Sequence, residues 1–322
     1  MAATTKSTIA EADRPGEIHA RPVPHPMRWV AIAVIIVLVA MMINSFVTNP
    51  RWDWPFAFAV MNYQPVLQGL VRGTLVGTVG GMVLGIVLGV SMAIMRLSTN
   101  PVLRGVGAVY TWFFRAIPRY VLLVLLGTGV GYLYPRLTLG VPFGHVFTQW
   151  LGMPEDALTF AAVNVNAFSS TIIMGVIGLG LSEGAYMAEI ARAGILSVDK
   201  GQREAAQALG MSPGRIMRRI VLPQAMRVIV PPTGNETIAM VKDTSLLVAL
   251  PVIVELFYQT QVIGTRTLKI MPSLMAATMW YLVVCSVLMV IQYFLERRFG
   301  RGFGEAPPRS KARRLLSRTG EH

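Results

Sequence analysis

Long apolar runs alternate with shorter polar intervals along the chain, and the length of those runs sets the first expectation. Trp29 to Thr48 carries no charged residue over about 20 positions, the length a helix needs to cross roughly 30 Å of hydrocarbon. Comparable runs follow at roughly 66–95, 105–134, 165–190, 230–254 and 271–295, several interrupted by glycine, proline or a charge. The pattern predicts an all-α integral membrane protein with six transmembrane helices. A secretory signal is the competing reading of the first run. Its apolar part is too long, however, and Asn49-Pro50-Arg51 after it is no small-residue cleavage site, so an uncleaved anchor is expected.

Two intervals are longer than turns. Residues 49–65 hold Trp52 and Trp54, and residues 135–164 hold PFGHVFTQWLGMPEDALTF. Aromatic residues beside apolar runs gather at the membrane interface, so both stretches are expected as external surface with interfacial helices or turns, where a substrate-delivering partner has room to dock. Within the second run, Gly73, Gly77, Gly81, Gly85 and Gly89 recur every four residues. Such a ladder lets another backbone approach closely where lipid supplies no hydrophobic drive, as a dimer seam or as an internal contact. No duplicated half is visible. If the chain is a transporter, the two-fold related halves of an alternating-access carrier then require a second subunit.

Composition agrees with membrane residence: 53% of residues are hydrophobic and 14% charged, too few charges to cover a soluble domain of 322 residues. The net charge of +13 raises nucleic acid as a partner, but the positions of the basic residues give it another meaning. With six spans, 23 of the 29 Lys and Arg fall on the side that holds both termini, the 96–119 region and an insert around 192–227. Arg51, Arg136, Arg266 and Lys269 fall opposite, and Arg72 and Lys242 lie inside runs. The positive-inside rule then places both termini and the insert in the cytoplasm, with no nucleic-acid partner. The Gly-, Pro- and Arg-rich tail reads as a mobile arm able to touch anionic lipid. Cys285 is the single cysteine, so no internal disulfide and no cysteine-based metal site is available.

The insert EAAQALGMSPGRIMRRIVLP, residues 204–223, is polar and punctuated. A short helix from Gln202 to Leu209 is stopped by Gly210, and Ser212-Pro213 caps and starts a second one. In that second helix Ile216, Met217, Ile220 and Val221 share a face opposite Arg215, Arg218 and Arg219, and Pro223 is expected to end it. Periodicity alone also suits a helix lying at the inner interface with its arginines toward lipid phosphate.

The spacing goes further. Glu204-Ala205-Ala206, Gly210 three residues on, and Ile220, Leu222 and Pro223 nine and more beyond it resemble the EAA loop, EAA-x3-G-x9-I-x-LP, of ABC importer permeases. The flanks AYMAEIARAGILSVDKGQREAAQALG and LPQAMRVIVPPTGNETIAMVKDTSL look like the polar amino acid importer subclass, and the resemblance covers roughly 66–295. It implies a type I importer fold, here a five-helix permease core plus one N-terminal helix, in the bacterial cytoplasmic membrane. The implied organisation is a cytoplasmic segment 1–28, an extra helix 29–48, a permease domain 66–295 with a cytoplasmic coupling loop 197–227, and a basic tail 296–322. Implied partners are an ABC ATPase subunit, an extracytoplasmic amino acid-binding protein and a second permease copy, identical or a sister chain. The resemblance implies that Glu204, Ala205, Ala206, Gly210, Arg215, Arg218, Arg219, Ile220, Leu222 and Pro223 couple to the ATPase. No G-x4-G-K-[ST] occurs, so no cofactor is expected on this chain, with ATP and Mg on the partner ATPase. Where the subclass reads FRGTP, this chain has Phe114-Arg115-Ala116-Ile117-Pro118, so backbone detail there does not carry over.

A zwitterionic solute loses hydration at both charges in hydrocarbon, so polar groups inside the runs are the candidates for its path. Pro231-Pro232 is expected to break the chain, and a helix starting near Thr233 then carries Lys242 about 14 Å along, near mid-membrane. Asn235, Glu236, Lys242, Asp243, Thr244 and Ser245 either line or gate the pathway or form a buried network that fixes helix packing. Arg72 either snorkels outward or meets a solute carboxylate. Glu183 and Glu189 are expected at the cytoplasmic exit. The four histidines are scattered and no nucleophile–base–acid set shares a compartment, so an enzyme is not expected. An ion-gradient carrier using Lys242 or Asp243 as its proton site is the alternative.

Overall fold

The computed structural model describes residues 26–299 apart from 155, 166, 168–170 and 251. The segment 1–25 and most of the basic tail, 300–322, lie outside the described residues. The chain divides after Trp52 into two compact units. In the first, helix α1 (Pro26–Thr48) is apolar on every side, and none of its residues is buried. A single 3-10 turn at Pro50–Trp52 follows, with the Trp52 ring stacked on Phe46 at 4.3 Å.

The second unit opens at Asp53, whose carboxylate accepts the Phe56 N–H at 3.3 Å and caps helix α2 (Trp54–Met61). The Lys269 ammonium donates to the same carboxylate at 2.7 Å and holds it below its ordinary value of 3.8. Helix α3 (Gln64–Arg96) runs on for 33 residues with a π turn at Gly69–Leu75. Helix α4 (Pro101–Ala116), capped by the Asn100 side chain, and helix α5 (Arg119–Gly129) meet at a bend of 101°. Ile117 is extended because a residue before proline is driven out of the helical region, and the chain turns there. A last helical turn, Val130–Leu133, ends α5.

Strands β1 (Arg136–Gly140) and β2 (Thr159–Asn164) pair antiparallel around helix α6 (Gly144–Trp150), so the all-α expectation is corrected by a two-stranded sheet. Helix α7 (Ile172–Leu196) starts later than the expected 165. Helix α8 (Lys200–Ala208) and the short helix α9 (Pro213–Ile216) build the insert; a π turn at Met217–Val221 passes without a break into helix α10 (Leu222–Asp243). A 3-10 turn at Thr244–Ala249 leads to helix α11 (Leu256–Thr267) and then helix α12 (Ile270–Phe299).

Two proline expectations fail. Pro223 does not end the second helix of the insert, because the chain shifts to π register there. Leu222 N–H bonds Met217 five residues back, and the Gln224 amide donates to the Ile220 carbonyl at 3.0 Å. Pro231-Pro232 lie inside α10, where the Thr233 hydroxyl donates to Ile229 and Gln292 of α12 reaches the Pro231 carbonyl. The helix carrying Lys242 therefore begins far back, at the insert.

Among the described residues α1, α3, α7 and α12 are long and apolar enough to cross a membrane, and the bent α4–α5 pair makes five if it counts as one span. The fifth expected span, 230–254, is no continuous apolar helix: the helix stops at Asp243 and the chain proceeds through the 3-10 turn to an extended Leu250. The glycine ladder resolves as an internal contact. Gly77 faces Thr244 and Leu247, Gly81 faces Met240 and Leu179, Gly85 faces Glu183, and Gly89 faces Met187. Three apolar clusters follow along the fold. Leu70, Val66 and Leu256 form the first; Met82, Leu123, Leu179 and Met240 the second; Val198, Ala206, Ile216 and Val221 fasten the insert to its own helices.

Candidate functional site

The insert is a rigid knuckle built from local chemistry. Asp199 caps α8 by accepting the Gln202 N–H at 3.2 Å. At its other end Gly210 takes φ +73°; its N–H bonds the Gln207 carbonyl at 2.9 Å and the Met211 N–H bonds Ala206 at 3.1 Å. That 5→2 and 6→1 pair is the glycine stop expected of the sequence. Pro213 occupies the first turn of α9 as expected, but the Ser212 hydroxyl makes no cap; its carbonyl accepts the ordinary first-turn bonds from Arg215 and Ile216. Ala206, Ile216 and Val221 turn inward with Ile220 half-buried beside them, whereas Met217, expected on that face, is exposed. Glu204, Ala205, Gly210, Arg215, Arg218, Arg219, Leu222 and Pro223 stay outside. Sequence reasoning passed over Leu209, which stands 83% exposed at the apex.

The pathway candidates separate. Asp243 accepts from Arg119 Nη1, Glu183 Oε2 accepts from Arg119 Nη2 at 2.8 Å, and Glu236 lies 3.9 Å from the same nitrogen. One guanidinium thus faces three carboxylates from α7 and α10, with the Tyr186 ring 4.9 Å beneath it. Glu183 is fully buried and its second oxygen has no partner among the described residues. Removing the cation from such a group costs about 3–5 kcal/mol. Arg119 was counted only as a cytoplasmic charge. The cue was a charge inside an expected span, 105–134, as Lys242 is inside 230–254.

The other candidates lie apart from this cluster. Asn235 accepts from Gln292 on α12 at 2.8 Å. Thr244 is buried against Gly77 with its hydroxyl donating to Val241, and Ser245 donates to the Lys242 carbonyl. Lys242 is exposed, as is Arg72, and no hydrogen bond or ion pair joins Arg72 to the Arg119 group. Glu189 accepts from Arg96 and from Arg192 at 2.8 Å, tying α3 to α7. Glu255, which sequence reasoning missed, is fully buried and accepts from the Tyr281 hydroxyl at 2.7 Å, the Thr74 hydroxyl at 3.0 Å and the N–H groups of Phe257 and Tyr258. Those four donors pin α3, α11 and α12 to one point. Among the described residues no group of His, Cys, Asp and Glu is arranged to hold a metal ion.

Residues 85–301 match the family model described as binding-protein-dependent transport system inner membrane component. The arginine transport system permease protein ArgU of Corynebacterium glutamicum is 42% identical over 294 residues, covering 91% of this chain and 86% of its own length. The L-cystine transport system permease protein TcyB of Bacillus subtilis is 33% identical, covering 77% of this chain and 92% of its own. A crystal structure of an amino acid ABC transporter with histidines matches at TM-score 0.55 and 29% identity, over 73% of this chain and 94% of that one. A structure of the MetNI methionine ABC transporter, at TM-score 0.51 and 20% identity, shares the fold.

Proposed function

The chain belongs to the family of binding-protein-dependent transport system inner membrane components, and from that premise we propose that it carries a polar amino acid inward, with arginine the first candidate, by alternating access. It is a multi-pass membrane protein and the permease subunit of an ABC importer, working with a separate ATPase and a solute-binding protein; it is not an ion-gradient carrier. The observation that carries the mechanism is the continuous helical run from Pro213 to Asp243, which joins the exposed knuckle to the Arg119 cluster through roughly 45 Å of rod. Glu204, Ala205, Gly210 and the three arginines form the face that seats in the ATPase, which holds ATP and Mg. Ala206, Ile220 and the buried side of the π turn keep that face rigid. Two copies of the permease, each with six spans and both termini in the cytoplasm, bring two knuckles together as the ATPases close.

The first choice of arginine rests on the 42% identity to the arginine permease, a match over most of both chains. The test is uptake of labelled arginine into vesicles holding the permease, its ATPase and the binding protein. Uptake that needs ATP and the ATPase, and that unlabelled arginine suppresses more than glutamine or cystine, is expected. Uptake that continues without the ATPase and collapses with the proton gradient overturns the reading.

A further inference from the structure

We propose that Arg119 is a two-position latch, bound to Asp243 in the state described here and to Glu236 in the opposite end state of the transport cycle. The proposal rests on the importer reading above. Glu236 and Asp243 are seven residues apart on α10, which puts them two turns apart on one face, about 10 Å along the rod. Arg119 sits between them: Nη1 is bonded to Asp243, and Nη2 is 3.9 Å from Glu236, outside hydrogen-bond range but within reach of a small shift. The rod therefore offers the same guanidinium two alternative carboxylates.

The other attachments of Arg119 are to α7, which joins the opposite end of the knuckle through residues 197–199. Its second nitrogen is bonded to Glu183 of α7, and its guanidinium lies over the Tyr186 ring of the same helix. Arg115, before the Ile117-Pro118 bend, sits 5.6 Å from that ring and 3.8 Å from Glu189. Glu183, Tyr186 and Glu189 thus brace the corner between α4 and α5 from one side of α7. A tilt of the knuckle that slides α10 along α7 travels along one unbroken helix to Asp243, while Arg119 stays with α7 through Glu183. The bond between α10 and its braced neighbours must yield first, and Glu236, which lies nearer the knuckle than Asp243, is the acceptor that a shift of α10 away from the knuckle delivers. Exchange between two discrete pairings is how small displacements become bistable transitions.

The geometry also explains the charge count. Glu183 keeps one oxygen on Arg119 in both positions, so the buried carboxylate never loses its cation while Asp243 and Glu236 trade places. Both exchangeable acids are partly open, with side chains 29% and 26% exposed, so the one left unpaired is solvated and not stranded. Arg119 is on this account a positioning residue for the moving helix.

The test uses the assembled permease–ATPase complex in lipid, with Cys285 replaced by serine and spin labels at Tyr132 and Val228, two exposed positions on the braced side and on the moving helix α10. Wild type is expected to show two distances whose ratio changes on trapping the ATPases closed. Asp243→Asn is expected to shift the nucleotide-free ratio about 10-fold toward the trapped distance, and Glu236→Gln to shift the trapped ratio about as far the other way. A merely structural ion-pair network predicts shifts of the same sign for both. Asp243→Glu, which keeps the charge, is expected to retain the nucleotide-free distance and serves if Asp243→Asn fails to assemble. Same-sign shifts, or unmoved ratios in variants of a wild type that shows both distances, overturn the latch alone. A wild-type complex with ATP-independent uptake overturns the importer reading and the latch with it.

Discussion

At Gly73 a single missing methyl group decides whether two segments can meet. A Cβ there would fall on the carbonyl oxygen of Val254 and the Cα of Glu255, backbone atoms that no rotamer change can move aside. Glu255 next to it has all its acceptor capacity spent on Thr74, Tyr281 and the start of α11, so the segment cannot retreat without loosening that buried carboxylate. Gly73→Ala is expected to destabilise the fold by about 1–3 kcal/mol, the range for overpacking. Gly105→Ala, where nothing lies within 4 Å, is expected to be neutral or slightly stabilising. Thermal unfolding in detergent, read by the accessibility of the buried Cys285 thiol to a maleimide, distinguishes them: Gly73→Ala should react at lower temperature than wild type, and Gly105→Ala should not. The spacing of the glycines was plain in the sequence, but their partners were not. Glu255 meets Thr74 across 181 residues and Arg119 meets Asp243 across 124, and no local pattern records a pairing at that distance.

Elements show where local rules hold and where they yield. The knuckle was legible because its signals act within a few residues: Asp199 at a helix start, Gly210 in the left-handed region, Pro213 in a first turn. Pro223 and Pro231-Pro232 were misread because the rule that proline ends a helix presumes that nothing else holds the chain in line. A π turn leads into Pro223 at the first site, and at the second α12 braces the helix through Gln292, which donates to the Pro231 carbonyl. The hairpin of β1 and β2 was missed because its strands are only 5 and 6 residues long and lie in a stretch read for its aromatic residues alone. The knuckle's stop leads to a prediction. A β-branched residue at Gly210 must adopt φ +73°, a strain of about 1–2 kcal/mol that opens the corner between α8 and α9. Gly210→Val is expected to insert normally but to recover at least several-fold less ATPase on affinity purification, while Gly214→Ala, with open space around it, recovers a wild-type amount. Equal recovery in both would remove the coupling role from the corner.

For the whole molecule, the question is what the first unit adds. The family match begins at residue 85 and α1 has no buried residue, so every apolar cluster and buried polar group described above is built from residues after Trp52. The positive-inside expectation does not depend on the first unit either. Without Lys6, Arg14, Arg21 and Arg28 the basic residues still concentrate on the knuckle side, at 96–119, 192–227 and 297–318, against only Arg136, Arg266 and Lys269 opposite. On the proposed orientation what changes is the start of the chain: Asp53 and α2 would have to reach the outer side with no helix before them, although Asp53 remains bonded to Lys269 and Trp280 still donates to the Met61 carbonyl at 3.0 Å. A chain starting at Asp53 behind a cleavable secretion signal supplies that crossing and then loses it. Such a chain is expected to assemble with its ATPase and to sustain ATP-driven uptake within about two-fold of the full chain, measured in the same vesicles at equal permease content. A loss of uptake greater than 10-fold with ATPase recovery intact would show that α1 takes part in transport and is more than an anchor.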